Sequence, residues 1–190
     1  LSSGEYFKWA AHDDLLAPRH VEACLEGFRN GPSDLVLVYP STTFIGGDGE
    51  VLSGLRDEDL DLMGDSPSAR LRLLLHRVAF CNAVFGLIRR DVLATTKLIV
   101  AYDSSDILLL AELSTRGKFH RLPEVLFQRR WHQAMSVAAN ATRAELEAWF
   151  DPSSKLAKKP RRRLSDMVHT KELRLAPRHV RSIQIGRAHV

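Results

Sequence analysis

Short apolar runs alternate with amphipathic segments along the first 130 residues, a pattern typical of an α/β protein. Tyr6–Ala11, Leu35–Tyr39 and Asn82–Ile88 are rich in aromatic or aliphatic residues and predict buried strands. His20–Phe28 and Ser68–Val78 each repeat apolar residues at helical spacing, so both predict amphipathic helices. We therefore expect a mixed, mainly parallel sheet flanked by helices.

The segments between these elements carry turn and loop signals. Gly46–Gly49 predicts a tight turn between two strands. The acidic segment Arg56–Ser66 has no clear period and predicts a surface loop. Further along, Phe119–Phe127 fits a short strand that is broken by Pro123.

Two adjacent carboxylates follow the first predicted strand. His12, Asp13 and Asp14 come directly after Ala11, and open α/β sheets bind ligands beyond the carboxyl ends of their strands. Crowded carboxylates favour a cation, and hard oxygen ligands suit Mg²⁺ or Mn²⁺, so a divalent metal that carries a phosphate fits here. The alternative is a solvated turn in which the two acids cap the next helix.

Two further polar groups are candidates for chemistry. Asp103–Asp106 contains two acids and two serines at the start of a predicted helix that continues to Leu113. This group is either a helix cap alone or a functional carboxylate held at a helix N-terminus. Arg130 and His132 follow the last predicted strand, and they are either phosphate-binding groups or ordinary surface residues.

Composition adds information about the two ends of the chain. The chain has 190 residues, of which 45% are hydrophobic and 26% charged, and it is long enough for one globular core. Its net charge of +4 is uneven, because eleven Lys and Arg oppose only two acids from Lys155 onward. This basic tail is either simply solvated or in contact with anionic membrane lipid. Nucleic-acid binding is not expected, since no aromatic residues are interleaved with these cations.

Several classes of protein are excluded by missing motifs. No run of about 18 apolar residues predicts a membrane-spanning helix. The sequence also lacks a Walker-type phosphate loop, a Gly-x-Ser-x-Gly elbow and a Cys-x-x-Cys pair. Cys24 and Cys81 lie in apolar surroundings, so we expect buried free thiols, which fits a reducing cytoplasm.

The stretch Ala11–Pro18, reading AHDDLLAP, resembles the carboxylate motif of family-two glycosyltransferases, which have the GT-A fold and use nucleotide-sugar donors. In that family a strand ends in Asp-x-Asp, often followed by a further Asp, two apolar residues and a Pro a little later. Ala11 stands in the place of the first Asp of the motif. The resemblance covers roughly residues 6–150 and extends, in the family's order, to Phe85–Arg90, Ser105-Asp106 and Arg130-x-His132.

The resemblance implies transfer of a sugar from a nucleotide-diphosphate donor to a hydroxyl of a glycan, lipid or other acceptor, with inversion at the anomeric carbon. It implies a GT-A-like sheet and a divalent metal, Mg²⁺ or Mn²⁺. The site residues that it implies are the base Asp106, the donor and diphosphate contacts His12, Asp14, Arg130 and His132, the metal ligands Asp13 and His132, and the acceptor-side residues Phe85 and Gly86.

The resemblance, the basic composition of the tail and the last six residues together indicate how the chain is organised. Residues 1–150 are expected to be the C-terminal part of a catalytic domain that lacks its N-terminal nucleotide-binding strands. Residues 151–184 are expected to be a basic helical tail, and residues 185–190 match a translated sequencing adapter. The expected location is the cytoplasm, peripheral to the inner face of the membrane. A non-catalytic nucleotide- or carbohydrate-binding remnant and a membrane-surface adaptor that uses the tail remain open as alternatives.

Overall fold

A computed structural model describes residues 3–100 and 104–131 of the chain. In this part the strands are β1 (Tyr6–Phe7), β2 (Leu15–Leu16), β3 (Leu35–Ile45), β4 (Leu87–Arg89) and β5 (Lys118–Arg130). The helices are α1 (His20–Asn30), α2 (Pro67–Arg77), α3 (Arg90–Leu93) and α4 (Ser105–Arg116), with a 3₁₀ helix at Asn82–Phe85. The predicted helices α1, α2 and α4 and the central strand β3 are therefore confirmed.

The strands form one mixed sheet in the order β1-β4-β3-β5-β2. The central strand β3 pairs in parallel with β5, from Leu35 opposite Lys118 to Ile45 opposite Arg130. The pairings of β1 with β4, of β4 with β3 and of β2 with β5 are antiparallel. The mixed α/β class is thus confirmed. Parallel pairing is limited to the two long strands of the described sheet, so the expectation of a mainly parallel sheet is not met.

Helices cover both faces of β3, which explains why its apolar run is continuous. On one face, α1 packs Cys24 and Phe28 against Val38. On the other face, side chains of α2 and α4 pack against Leu37 and Tyr39. Complete burial of a Leu or Phe side chain contributes about 1.5–3 kcal/mol, so this helix–sheet–helix core is the main source of stability.

The first predicted strand is wrong in both length and position. Only Tyr6 and Phe7 form β1, which is half-buried and pairs antiparallel with β4 at one edge of the sheet. The chain then passes to the opposite edge, where β2 pairs with β5. These aromatic side chains therefore belong to an edge strand and not to a central one. Tyr6 packs near Phe28, and Phe7 contacts Trp9 edge-on.

The acidic segment between β3 and α2 is a loop as predicted, but it is not confined to the surface. Glu58, Leu60 and Leu62 are buried. The Leu60 N–H donates to the Tyr39 hydroxyl at 2.8 Å, and Leu62 forms a bridge with Phe119 of β5. Three buried positions in alternation are too few to stand out as a period, so the sequence did not reveal them.

Two other predicted strands differ in detail. Asn82–Ile88 folds as a 3₁₀ helix followed by β4. Gly86 lies close against β3, because an added Cβ would lie 2.6 Å from the Val38 carbonyl oxygen. β5 is not broken at Pro123, since its register with β3 skips this residue and needs no N–H from it.

Candidate functional site

The carboxyl ends of β3 and β5 meet at one edge of the sheet, because the two strands are parallel. β2 runs antiparallel to β5, so Asp13 and Asp14, just ahead of β2, lie beside Arg129 and Arg130 at the end of β5. We call these four residues the carboxyl-edge cluster. Ligands of open α/β sheets bind beyond such strand ends. The two acids reach this place through the edge strand β2 and not through a buried first strand.

Arg130 connects the two halves of this cluster. Its backbone N–H donates to Asp14 Oδ1 at 2.8 Å, and its Nε donates to the Asp13 carbonyl at 3.0 Å. Its Nη1 donates to the carbonyls of Gly46 and Gly47, in the turn after β3, at 2.8 and 2.7 Å. The Arg130 guanidinium therefore holds the Asp13–Asp14 segment against that turn, and at most Nη2 is left for a ligand.

Arg129 reaches towards the 3₁₀ helix. Its Nη1 donates to Asn82 Oδ1 at 2.7 Å and also to the Phe80 carbonyl. Its guanidinium carbon lies 5.9 Å from the centroid of the Phe85 ring, within the range of a cation–π contact. Its charge also acts on Asp14. Arg129 thus joins the carboxyl-edge cluster to Phe85, one of the predicted acceptor-side residues.

A buried carboxylate supports the segment that Arg129 contacts. Glu58 is 5% exposed, and its two oxygens accept three backbone N–H groups at 2.6–2.8 Å, those of Ala79, Phe80 and Asn82. Burial raises the pKa of Glu58, and these N–H donors oppose the shift. Glu58 therefore fixes the backbone path into the 3₁₀ helix.

The neighbouring Asp57 fixes a side chain of that helix. Its Oδ1 accepts from Asn82 Nδ2 at 2.9 Å. Its Oδ2 accepts from the Thr42 N–H at 2.8 Å and from Arg121 Nη2 at 3.0 Å. Asp57 thereby ties the acidic loop to both long strands and to Asn82, the partner of Arg129.

Asp106 lies in the first turn of α4, and its environment overlaps that of Arg129. It is half-buried, and its Oδ1 accepts from the Ile107 N–H at 2.8 Å. The buried Cys81 lies within electrostatic range of Asp106. Burial raises the pKa of this thiol well above its usual range, and the nearby Arg129 opposes the shift. Asp106 and Arg129 are therefore both neighbours of Cys81.

Strained backbone occurs at two positions next to Asp106. Cys81 has φ 56° and Ser104 has φ 66°, in the left-handed region that non-glycine residues avoid. Each such residue costs on the order of 1–3 kcal/mol, and such residues cluster at functional sites. Ser104 occupies the N-cap of α4 without a side-chain hydrogen bond to the helix.

The acids of the cluster are partly desolvated and surrounded by cations. Burial raises the pKa of Asp14, and the Arg130 N–H and the charges of Arg129 and Arg130 offset part of this shift. Lys8 is half-buried, and burial lowers its pKa while the negative charge of Asp14 opposes that change. A carboxylate with three cations within electrostatic range marks a place that is suited to a negatively charged ligand.

The described residues fit a metal only if a ligand completes its coordination. Among them, no three His, Cys, Asp or Glu side chains are grouped so as to hold a metal ion. Asp13 and Asp14 can supply two oxygen ligands. Mg²⁺ is commonly held by one or two carboxylates together with phosphate oxygens and water, so these two acids and a diphosphate would make a sufficient set.

The predicted site residues have different outcomes. Asp13, Asp14 and Arg130 lie together, and Arg129 and Cys81 link them to Phe85 and Asp106. His12 is exposed beside them, and Gly86 is buried against β3. His132, Asp103 and the whole basic tail lie outside the described residues.

Sequence reasoning missed the residues that hold the site together. These are Lys8, Asp57, Glu58, Cys81, Asn82 and Arg129. Successive side chains on a strand point to opposite faces, so the sequence could have indicated that Arg129 and Arg130 lie on different faces of β5. No comparable signal marks the two acids of the loop.

A groove of about 420 Å³ lies away from this cluster, between α1 and the first half of β5, and its lining includes Gly27, Met63 and His120. Within the described ranges, no helix has the length and apolar character needed to cross a membrane.

The sequence matches no protein-family model and no curated protein. The functional assignment therefore depends on the chemistry of the carboxyl-edge cluster and on the resemblance of its motifs.

Proposed function

We propose that this chain forms the diphosphate-binding and acceptor-activating part of an inverting glycosyltransferase that uses a nucleotide-diphosphate sugar. The observation that carries this proposal is the hydrogen bond from the Arg130 N–H to Asp14 Oδ1 at 2.8 Å. It joins two motifs that are 116 positions apart at the carboxyl edge of the parallel strands. Asp106 and Phe85 are linked to the same edge through Cys81 and Arg129.

The reaction proposed for this site is a single displacement. The Asp106 carboxylate takes the proton of the acceptor hydroxyl while that oxygen bonds to the anomeric carbon. The bond from the anomeric carbon to the diphosphate oxygen breaks, and its electron pair leaves with the nucleoside diphosphate. Cationic side chains of the carboxyl-edge cluster stabilise the charge that develops on the leaving group. Asp13 would hold a divalent metal ion, which would further neutralise that charge.

The orientation of Asp106 suits the role of base. Oδ1 accepts a hydrogen bond from the Ile107 N–H at 2.8 Å, and Cys81 lies within electrostatic range of the carboxylate. The hydrogen bond restricts the rotation of the side chain, which favours proton transfer in one direction. The proposed acceptors are glycans, lipids or other hydroxyl compounds, and the proposed location is cytoplasmic, with peripheral contact between the basic tail and anionic lipid.

A second candidate is a non-catalytic protein that binds a nucleotide or carbohydrate. It is favoured by Ala11, which stands where the family's motif has an Asp, and by Ser105, which stands where the family has a Glu. Both candidates predict that a nucleoside diphosphate binds. Only the enzyme predicts sugar transfer that Asp106→Asn lowers by at least about 100-fold, the lower range of general-base contributions, with nucleotide binding unchanged.

Calorimetric titration of the full chain with UDP and Mn²⁺ tests the donor site. We expect metal-dependent binding that weakens at least tenfold in Asp13→Ala and is unchanged in Asp48→Ala, an exposed acid of the turn after β3. GDP and dTDP are titrated in the same way, because the resemblance does not fix the base. Absence of binding of all three nucleotides to the folded chain, or equal binding by Asp13→Ala, would contradict the proposal.

A further inference from the structure

We propose that Arg129 is the principal anion-binding side chain of the carboxyl-edge cluster, and that Asn82 and Asp57 form a relay that holds its guanidinium in place. Arg129 contacts the anion, and Asn82 is a positioning residue. The identity of the anion as a diphosphate rests on the proposed function. The assignment of Arg129 over Arg130 rests on the hydrogen bonds of the two side chains.

The two neighbouring arginines differ in the donors that they have left. Arg130 uses Nε and Nη1 for three backbone carbonyls. Arg129 uses Nη1 alone, for Asn82 Oδ1 and the Phe80 carbonyl. Within residues 3–100 and 104–131, Nε and Nη2 of Arg129 donate to no acceptor, and the side chain is half-exposed. A guanidinium edge with two parallel N–H donors is the group that binds a phosphate oxygen pair most specifically.

The relay determines which way the Asn82 amide is turned. Asp57 Oδ1 can only accept, so the 2.9 Å contact requires the Nδ2 amine of Asn82 on that side. The Asn82 carbonyl oxygen then faces Arg129 Nη1 at 2.7 Å. Asn82 is 2% exposed, and its own N–H is held by Glu58 at 2.6 Å. Neither the amide nor its backbone is free to turn.

This arrangement prepares Arg129 for a ligand. An arginine side chain loses conformational entropy when it is fixed in one geometry. Contacts to Asn82, Phe80 and Phe85 fix Arg129 before a ligand binds, so binding itself causes less entropy loss. The neutral Asn82 adds no negative charge beside Arg129, whereas an ionised partner in the same place would cancel the charge of the guanidinium. The relay therefore supplies both position and charge.

Calorimetry with inorganic pyrophosphate and Mg²⁺ on the full chain tests the assignment directly. We expect Arg129→Gln to weaken binding at least tenfold and Arg129→Lys to restore it only in part, because lysine keeps the charge without the paired donors. Arg56→Gln, at an exposed position of the acidic loop, is the matched control and should bind as the wild type does. Asn82→Leu should weaken binding about three- to tenfold through loss of the relay.

Asn82→Asp supplies a readout that a purely structural role would not produce. The introduced carboxyl lies between Asp57 and Arg129, and at low pH it carries a proton that keeps the relay intact. As the pH rises it ionises and cancels the charge of Arg129. We expect the ratio of variant to wild-type affinity to fall several-fold between pH 5.5 and 8. Using this ratio removes the titration of pyrophosphate itself from the comparison.

The outcomes separate this inference from the proposed function. Binding that depends on Asp13 but is unaffected in folded Arg129→Gln and Asn82→Asp would overturn the inference and leave the donor site standing. Binding that depends on Arg129 and not on Asp13 would support the inference and contradict the metal-assisted site. No binding of pyrophosphate or UDP by the wild type would overturn both. Unfolding midpoints of each variant establish that it is folded.

Discussion

At the scale of single residues, the site consists of polar side chains that are hydrogen-bonded to, or near the charges of, other residues of the fold. Asp14 is the most informative of them. Its pKa is raised by burial, although two guanidinium groups and a backbone N–H oppose the shift. The burial of an ionised carboxylate lowers the stability of the folded protein. Functional carboxylates commonly have this effect, because their charge is fully compensated only when a ligand binds.

Asp14→Asn is therefore expected to separate stability from binding. A raised pKa means that the folded state binds the proton of Asp14 more tightly than the unfolded chain does. Protonation of Asp14 therefore stabilises the fold, and this effect is complete below the pKa of the unfolded chain. That effect is lost as the pH rises through the folded-state pKa. Asn keeps an acceptor for the Arg130 N–H without the charge, so we expect the variant to be at least as stable as the wild type at pH 7.

Urea unfolding at pH 7 and at about pH 3.5, below the usual Asp pKa, measures the effect. The difference in the free energy of unfolding between Asp14→Asn and the wild type should shrink towards zero at the lower pH. Asp48→Asn, at an exposed position of the turn after β3, is measured beside it as the control. A variant that is clearly less stable than the wild type at pH 7 would contradict this account of Asp14.

Glu58 has the opposite character, because it is a structural carboxylate with three satisfied contacts. Glu58→Gln replaces an accepting oxygen by an amine that faces backbone donors, and each unsatisfied buried group costs about 1–3 kcal/mol. We expect the free energy of unfolding to fall by about 2 kcal/mol or more in urea titrations. Asp59→Asn, at an exposed neighbour, should change it by less than about 0.5 kcal/mol. Equal effects would show that Glu58 does not hold the loop.

At the scale of elements, the buried Arg70 joins α2 to α4 and to the end of the acidic loop. Its guanidinium donates to the carbonyls of Ser114, Gly64 and Asp65, each at 2.8 Å. Arg70→Leu would leave these carbonyls without their partner, so we expect a loss of about 2–4 kcal/mol in the free energy of unfolding. Arg72→Leu, on the exposed face of the same helix, should have little effect, and a similar loss there would contradict the role of Arg70.

The contact between β4 and β3 depends on the absence of a side chain at Gly86. A Cβ at this position would lie 2.6 Å from both the Val38 carbonyl oxygen and Tyr39 Cβ. Because backbone must move to make room, we expect Gly86→Ala to cost about 1–3 kcal/mol in thermal or urea unfolding. Gly47→Ala has open space around its Cβ and is the control. A Gly86→Ala variant as stable as this control would contradict the observed packing.

The elements that could be predicted carry an apolar pattern over several consecutive residues. The three long helices repeat apolar residues at helical spacing, and each was located within a few positions. β3 begins at Leu35 as predicted from its apolar run, but it continues beyond the predicted end at Tyr39 to Ile45. β1 and β2 have two residues each, so no period exists to detect. The position of β2 is set by its pairing with β5, more than a hundred residues away, and local sequence does not encode that contact.

At the scale of the whole molecule, the candidate site draws on five separate segments. They are the Asp13–Asp14 pair, the acidic loop, the 3₁₀ helix, the first turn of α4 and the end of β5. The resemblance to family-two glycosyltransferases predicted the order of the candidate acids and Arg130 along the chain. It did not predict Arg129, Asn82 or Asp57, because hydrogen bonds between distant loops leave no pattern in a single sequence.

If these five segments form one ligand site, a backbone amide NMR titration with Mg²⁺ and pyrophosphate will show it. We expect the amides of Asp14, Cys81, Asp106, Arg129 and Arg130 to shift along one binding curve with a single dissociation constant. The amides of Gly27 and His120, in the distant groove, should stay unchanged. Shifts confined to that groove, or different binding curves for Asp14 and Asp106, would contradict a single ligand site.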